Sequence, residues 1–234
     1  MQPIYWIVIA VAVVVYIGLR VFLDADARVF SLQKWADLNN FTFQREKDAS
    51  IGPRYAQLTR LSSHQNCSAS NVVRGSLGEY TFCAFDFIDL DQRRRSNVRH
   101  KHGPTATSFA AVVIETDLGL PPVVIERETL LEKVAKTFGA EDVQFESDAF
   151  NAKFMVRSPD KSRAIAIVGP AIQQLLVDTP LFEFESSLQV LELHGSLVLA
   201  RSRSDQFFSE KDYPELLQLL ADLLALMAAS MSDA

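Results

Sequence analysis

The residues with the most evident chemical capacity in this chain are cations, and they cluster. The stretch 91–104 carries Arg93, Arg94, Arg95, Arg99 and Lys101 against the single acid Asp91, a net charge of +4. Five cations in so short a run suit contact with a multivalent anion, either the headgroups of an anionic leaflet or an acidic protein face. The bland alternative is a solvated connection between two strands, which charge runs usually are. Residues 24–234 hold 22 Lys and Arg against 29 Asp and Glu, a net charge of −7, so the rest of residues 24–234 outside this stretch stands at −11. A body so acidic argues against a nucleic-acid partner.

Other reactive side chains form weaker patterns. His100 and His102 bracket Lys101 beside Arg99, and flanking cations repel a metal ion that in any case needs three or four ligands. His64 and His194 are the other histidines. Cys67 and Cys83 flank an expected hairpin and could meet across it. Reduced thiols are the expectation in the cytosol, and a cross-strand disulfide in an oxidising compartment. The pairs Glu183 with Glu185 and Asp89 with Asp91 stand at i, i+2, the spacing that puts two carboxylates on one face of a strand. A solvated face with Phe182 and Phe184 turned inward explains the first pair without catalysis. No Gly-rich phosphate loop, Gly-x-Ser-x-Gly elbow, His-Glu-x-x-His or Cys-x-x-Cys occurs. The sequence nominates no catalytic residue, no metal ligands and no cofactor; its candidate contact residues are the five cations.

The elements that must position these groups begin with a membrane span. The run from Ile4 to Leu23 holds thirteen Ile, Val, Leu or Phe residues, with Arg20 as its only charge. Twenty residues at about 1.5 Å each give about 30 Å, the thickness of a hydrocarbon core. A cleavable signal peptide is the rival reading, because Ala25-Asp26-Ala27 has the small-x-small form. The run is longer than a signal h-region, and no Lys or Arg precedes it. Arg20, Arg28 and Lys34 follow the span, which predicts a cytoplasmic domain and a single-pass protein of the cell membrane. Residues 1–27 are read as the anchor and 28–234 as one soluble domain.

Within that domain Val29, Leu32, Trp35, Ala36 and Leu38 predict a short amphipathic helix that stops at Asn39-Asn40, where Asn tolerates the left-handed conformation. Strands are expected at Tyr55–Leu61, Ser70–Arg74, Glu79–Leu90, Thr107–Thr116 and Pro122–Glu126, with turns at 75–78 and at Asp117-Leu118-Gly119. Glu128–Phe138 reads as a helix. Short strands follow at Val143–Glu146 and Ala152–Arg157. Asp160 caps a helix through Val168, and Gly169-Pro170 restarts it to about Val177. Leu181–Glu185, Leu188–Leu193 and Ser196–Arg201 read as strands, the last two about a turn at His194-Gly195. Pro214–Met231 is a helix with Leu216, Leu220, Leu223 and Met227 inward. Phe82, Phe85 and Phe87 are core residues of their strand. Strand runs with segregated helices indicate an α+β fold with an antiparallel sheet.

The apolar span, the helix ending in Trp35-Ala36, the run Asn40-Phe41-Thr42-Phe43, and the later run Phe150-Asn151-Ala152-Lys153-Phe154-Met155-Val156 with Asp160, Ala164 and Pro170 resemble a family of bacterial membrane-anchored proteins of unknown function. Asn40 stands where such proteins often show Gly. The resemblance implies an anchor plus an α+β domain and transfers no active site. The expectation is a non-catalytic interaction or scaffold module at the inner face of the membrane. The alternative is a membrane-tethered enzyme with a dispersed site.

Overall fold

The computed structural model describes residues 26–61, 67–89, 107–127, 142–183 and 188–232. The apolar run 4–23, the basic stretch 91–104 and the expected helix Glu128–Phe138 lie outside the described residues.

The first helix, α1, is described from residue 26 to residue 38 and ends where local rules place its stop. Asn40 sits at φ +57°, the N–H of Phe41 donates to the Ala36 carbonyl at 2.9 Å, and the N–H of Asn40 donates to Asp37 at 3.2 Å. This is a Schellman closure, completed by the edge-on packing of Trp35 against Phe41 at 5.3 Å. Asn takes the left-handed position that otherwise favours Gly, which is why the departure at Asn40 leaves the turn intact. Leu32 and Ala36 face the core, Trp35 is half-buried and Leu38 is exposed.

Among the described residues seven strands follow: β1 (Thr42–Gln44), β2 (Cys67–Leu77), β3 (Tyr80–Asp89), β4 (Thr107–Arg127), β5 (Asp142–Val143), β6 (Phe154–Arg157) and β7 (Leu188–Ser202). All the pairings among them are antiparallel, in the order β1-β2-β3-β4-β6-β5, and β7 pairs β4. β4 therefore carries the sheet. β3 and β6 pair with its two halves, and β7 pairs along most of its length. The β2–β3 hairpin closes through Gly78 at φ +62°, with Leu77 opposite Tyr80.

The alternation along β3 builds two cores. Phe82 and Ala84 face a helical layer together with Val112 and Ile114 of β4, whereas Cys83, Phe85 and Phe87 face the other side with Ala111 and Val113. The helical layer comprises α1, α3 (Asp148–Lys153), α4 (Lys161–Ile167), α5 (Pro170–Asp178) and α6 (Asp212–Ser232). Asp160 caps α4 by accepting from the N–H of Arg163, and Pro170 opens α5 after Gly169, as read from the sequence. The opposite face is closed by α2 (Ile51–Arg54) and the turns after it, whose Tyr55, Leu58 and Leu61 are buried.

Among the described residues α6 is the one helix long and apolar enough to cross a bilayer, yet it is a core element. Leu216, Leu220, Leu223 and Met227 are at most 1% exposed, and Leu217, Leu219 and Leu224 join them in the core. Burying these seven side chains stabilises the fold by about 10–20 kcal/mol relative to exposure.

Four expected elements are corrected. Tyr55–Leu61 is a succession of turns, because its apolar residues recur every three positions and plug one face of the sheet. Leu181 and Phe182 of the expected strand Leu181–Glu185 lie in a single turn of 3-10 helix, Pro180–Phe182, opened by Pro180, and its residues 184 and 185 lie outside the described residues. Asp117-Leu118-Gly119 and His194-Gly195 are bends inside the continuous strands β4 and β7. The two face each other: Glu115 pairs with Leu197 and Leu120 with Gly195, so residues 116–119 bulge opposite Ser196 alone. Gly and Asp mark a bulge as readily as a turn, and only the partner strand distinguishes the two.

Candidate functional site

Three polar constellations stand out among the described residues, and two of them serve the fold. The first joins α1 to the sheet. Asp86, a lone acid between Phe85 and Phe87, lies on the helical face of β3 and is 5% exposed. Arg28 meets it with both terminal nitrogens, Nη1 to Oδ2 at 2.7 Å and Nη2 to Oδ1 at 2.9 Å. The same guanidinium donates to the carbonyl of Phe208 through Nε at 3.0 Å and Nη2 at 2.8 Å. A β2 bulge between Ser70 and Val73 turns Asn71 to φ +52°, and its amide donates to Asp86 Oδ2 at 2.7 Å. Burial works against the Arg28 cation, but the hydrogen bond and charge of Asp86 outweigh it and raise its pKa above the ordinary value. A buried, forked ion pair of this kind fixes the orientation of α1 on the sheet.

The second constellation pins the α2 turns. Glu192 of β7 is 2% exposed and accepts from the N–H and hydroxyl of Thr59 and from the N–H of Arg60, at 2.6–2.9 Å. Its carboxylate is satisfied by backbone and is structural. Tyr55 likewise donates to Glu115 at 3.0 Å, with Arg54 on the same oxygen at 2.7 Å.

The third is an open cleft at the Tyr80 end of the hairpin, of about 580 Å³, with a second hollow of about 540 Å³ adjoining it through Glu79, Tyr80 and Ala228. The start of β3, the β4 bulge and β7 wall the cleft, which meets α6 at Ala228, and the adjoining hollow lies between the β2–β3 turn and α6. Leu118 and Leu197 line the cleft, and the adjoining hollow sets Ala221, Ala225 and Ala228 beside Leu77. The rim carries Glu79 and Asp117, which no described cation pairs. Burial comes first among the causes that raise the Tyr80 phenol, followed by the hydrogen bond and charge of Glu79 and the charge of Asp117. The β4 and β7 bends, read from the sequence as turns, are what open this cleft.

The cations named from the sequence, Arg93, Arg94, Arg95, Arg99 and Lys101, lie outside the described residues, as do His64, His100, His102, Asp91 and Glu185. The segment that holds the cations is bracketed by Asp89 and Thr107, which pair with each other. Asp89 lies three residues beyond Asp86, about 10 Å along the strand. Glu183 is exposed and bonded to Lys153 at 2.8 Å, while Phe182 is buried, so this acid belongs to a solvated surface. Cys67 pairs in register with Asp89 and Cys83 with Arg74, which separates the cysteines by six residues, about 20 Å along the sheet. A disulfide needs Cα atoms within about 7 Å, so the expectation that compartment decides their pairing is replaced by geometry. Both thiols are buried on the same face of the sheet.

No family model matches the chain, and no curated protein matches it. A solved structure does share the fold: the crystal structure of the mycobacterial trehalose monomycolate transport factor A, TtfA, at 12% identity and a TM-score of 0.57, covering 85% of this chain and 95% of that chain. At that identity the likeness is one of fold. It extends over nearly the whole of the neighbour.

Proposed function

We propose that this chain is a single-pass membrane protein whose α+β domain acts without catalysis, as an interaction module at the inner face of the membrane. The observation that carries the reading is the Arg28–Asp86 clamp. Helix α1 is described from three residues beyond Leu23, and Arg28 is locked into the sheet by four hydrogen bonds. In this reading an anchor at residues 4–23 holds the domain at short range from the bilayer. Among the described residues the buried acids, Asp86 and Glu192, are engaged by the fold's own donors. The shared fold with a transport factor is compatible with such a role.

In this reading the stretch bearing Arg93, Arg94, Arg95, Arg99 and Lys101 meets anionic headgroups. It departs from the end of β3 that Arg28 of α1 grips. Each engaged cation contributes about 1 kcal/mol at an anionic surface. The test is cell fractionation with topology mapping. The intact chain is expected to remain with membranes through carbonate extraction, and the domain to survive protease added outside intact cells. Recovery in the soluble fraction refutes the anchor, and digestion from outside refutes the orientation. Changing the three consecutive arginines to Gln is expected to weaken association of the domain with acidic vesicles at low salt; unchanged association refutes the headgroup contact.

A further inference from the structure

We propose that the cleft at the Tyr80 end of the domain receives about two turns of a basic amphipathic helix from a partner protein. The inference rests on the reading of the domain as an interaction module and names the class of its partner. The floor supplies the first argument. Ala221, Ala225 and Ala228 stand at i, i+4 and i+7 along α6, about 10 Å of one helix face. Two of the three are half-buried and Ala225 is exposed, so the face is accessible and too small in side chain to fill the hollow itself. Leu77, half-buried beside the alanines, makes this hollow apolar at the depth an inserted side chain reaches, and Leu118 lies in the adjoining cleft.

The rim supplies the second argument. Glu79 belongs to the hairpin turn and Asp117 to the β4 bulge, so the acids stand on two different walls. Glu115, the third acid of the cleft, is already held by Arg54 and Tyr55. An apolar hollow edged by Glu79, continuing into a cleft that carries Asp117, is the electrostatic complement of an apolar helix stripe flanked by Lys or Arg. Two other occupants fit poorly. A second copy placed across a two-fold axis would bring the same acids against one another. An anionic lipid surface is repelled by the rim, and the cleft lies at the far end of β3, nine residues or about 30 Å from Asp89.

The test uses the full chain in phosphatidylcholine nanodiscs and a fluorescent Leu/Lys amphipathic peptide of about 14 residues, long enough to be helical. Anisotropy is read against empty discs. The wild-type chain is expected to bind the peptide above that baseline and to leave a Leu/Glu peptide of the same pattern unbound. The double variant Glu79→Gln/Asp117→Asn is expected to weaken binding about tenfold, as the loss of two partly exposed ion pairs implies. Ala225→Trp, at an exposed position, is expected to abolish it by filling the trough. Equal binding by both variants, binding of the Leu/Glu peptide, or no binding above empty discs overturns the proposal. A dimer that Ala225→Trp disrupts also overturns it and assigns the trough to a second copy. Failure of the chain to enter discs strikes the anchor instead, so the two readings fail separately.

Discussion

Replacing Arg28 by Met tests whether the helix leading from the apolar run is welded to the sheet. The substitution keeps the aliphatic length of the side chain and removes two bonds to Asp86 and two to the Phe208 carbonyl. Asp86, 5% exposed, is then a buried carboxylate with Asn71 as its remaining side-chain donor. Removing one partner of a buried pair costs about 3–5 kcal/mol. The Arg28 side chain is 21% exposed and Asn71 still donates, so the lower end applies, about 3 kcal/mol. For a domain of this size that lowers Tm by about 6–12 °C. Thermal unfolding followed by circular dichroism reads the loss directly. Changing Asp86 to Leu as well removes the stranded charge, and the double variant should regain most of the stability, because an apolar pair of similar volume is often neutral in place of a buried ion pair. Amide exchange in α1 should quicken in the single variant and recover in the double. A single-variant loss below about 1 kcal/mol, or a double variant no more stable than Arg28→Met alone, would show that the pair does not hold the helix.

Leu220 is fully buried at the centre of α6, so Leu220→Asp is expected to cost several kcal/mol by placing an unpaired charge in the core; an unchanged urea midpoint would make the helix peripheral. Asn40 holds a left-handed turn at φ +57°, so Asn40→Ala should lose about 1 kcal/mol while Asn40→Gly stays within a few tenths of wild type; equal losses in the two variants count against a backbone cause. Burial raises the Cys83 thiol above its ordinary value, with Arg74 and Tyr55 opposing, and raises the Tyr55 and Tyr213 phenols. The unfolded chain ionises its thiols near about 8.5 and its phenols near about 10. The stability these groups contribute is therefore complete below those values and lost as pH rises past them, the folded state binding more protons than the unfolded one. Denaturation midpoints should fall steadily in that alkaline range, and Cys83→Ala should remove the earliest part of the fall; a flat profile contradicts the assignment.

Local order determined what the sequence displays by itself. The stop of α1 at Asn39-Asn40, the Asp160 cap, the restart at Gly169-Pro170 and the inward face of α6 each depend on residues within one or two turns of one another. Backbone propensity and side-chain period suffice for these, as they do for the α+β class. The tertiary structure decided everything that requires distant segments to meet. The Asp and Gly breaks at 117–119 and 194–195 look like turns until β4 and β7 pair through both and convert them into facing bends. The cleft exists because of those bends, and its lining comes from the β2–β3 hairpin, β4, β7 and α6. The two cysteines flank the β2–β3 hairpin on one face, yet register sets them about 20 Å apart. Asp86 left one trace in the sequence, an acid inside an aromatic strand, which calls for a buried partner. That partner, Arg28, is 58 residues away, and a charge in a chain does not specify at such a distance which opposite charge the fold will bring to it.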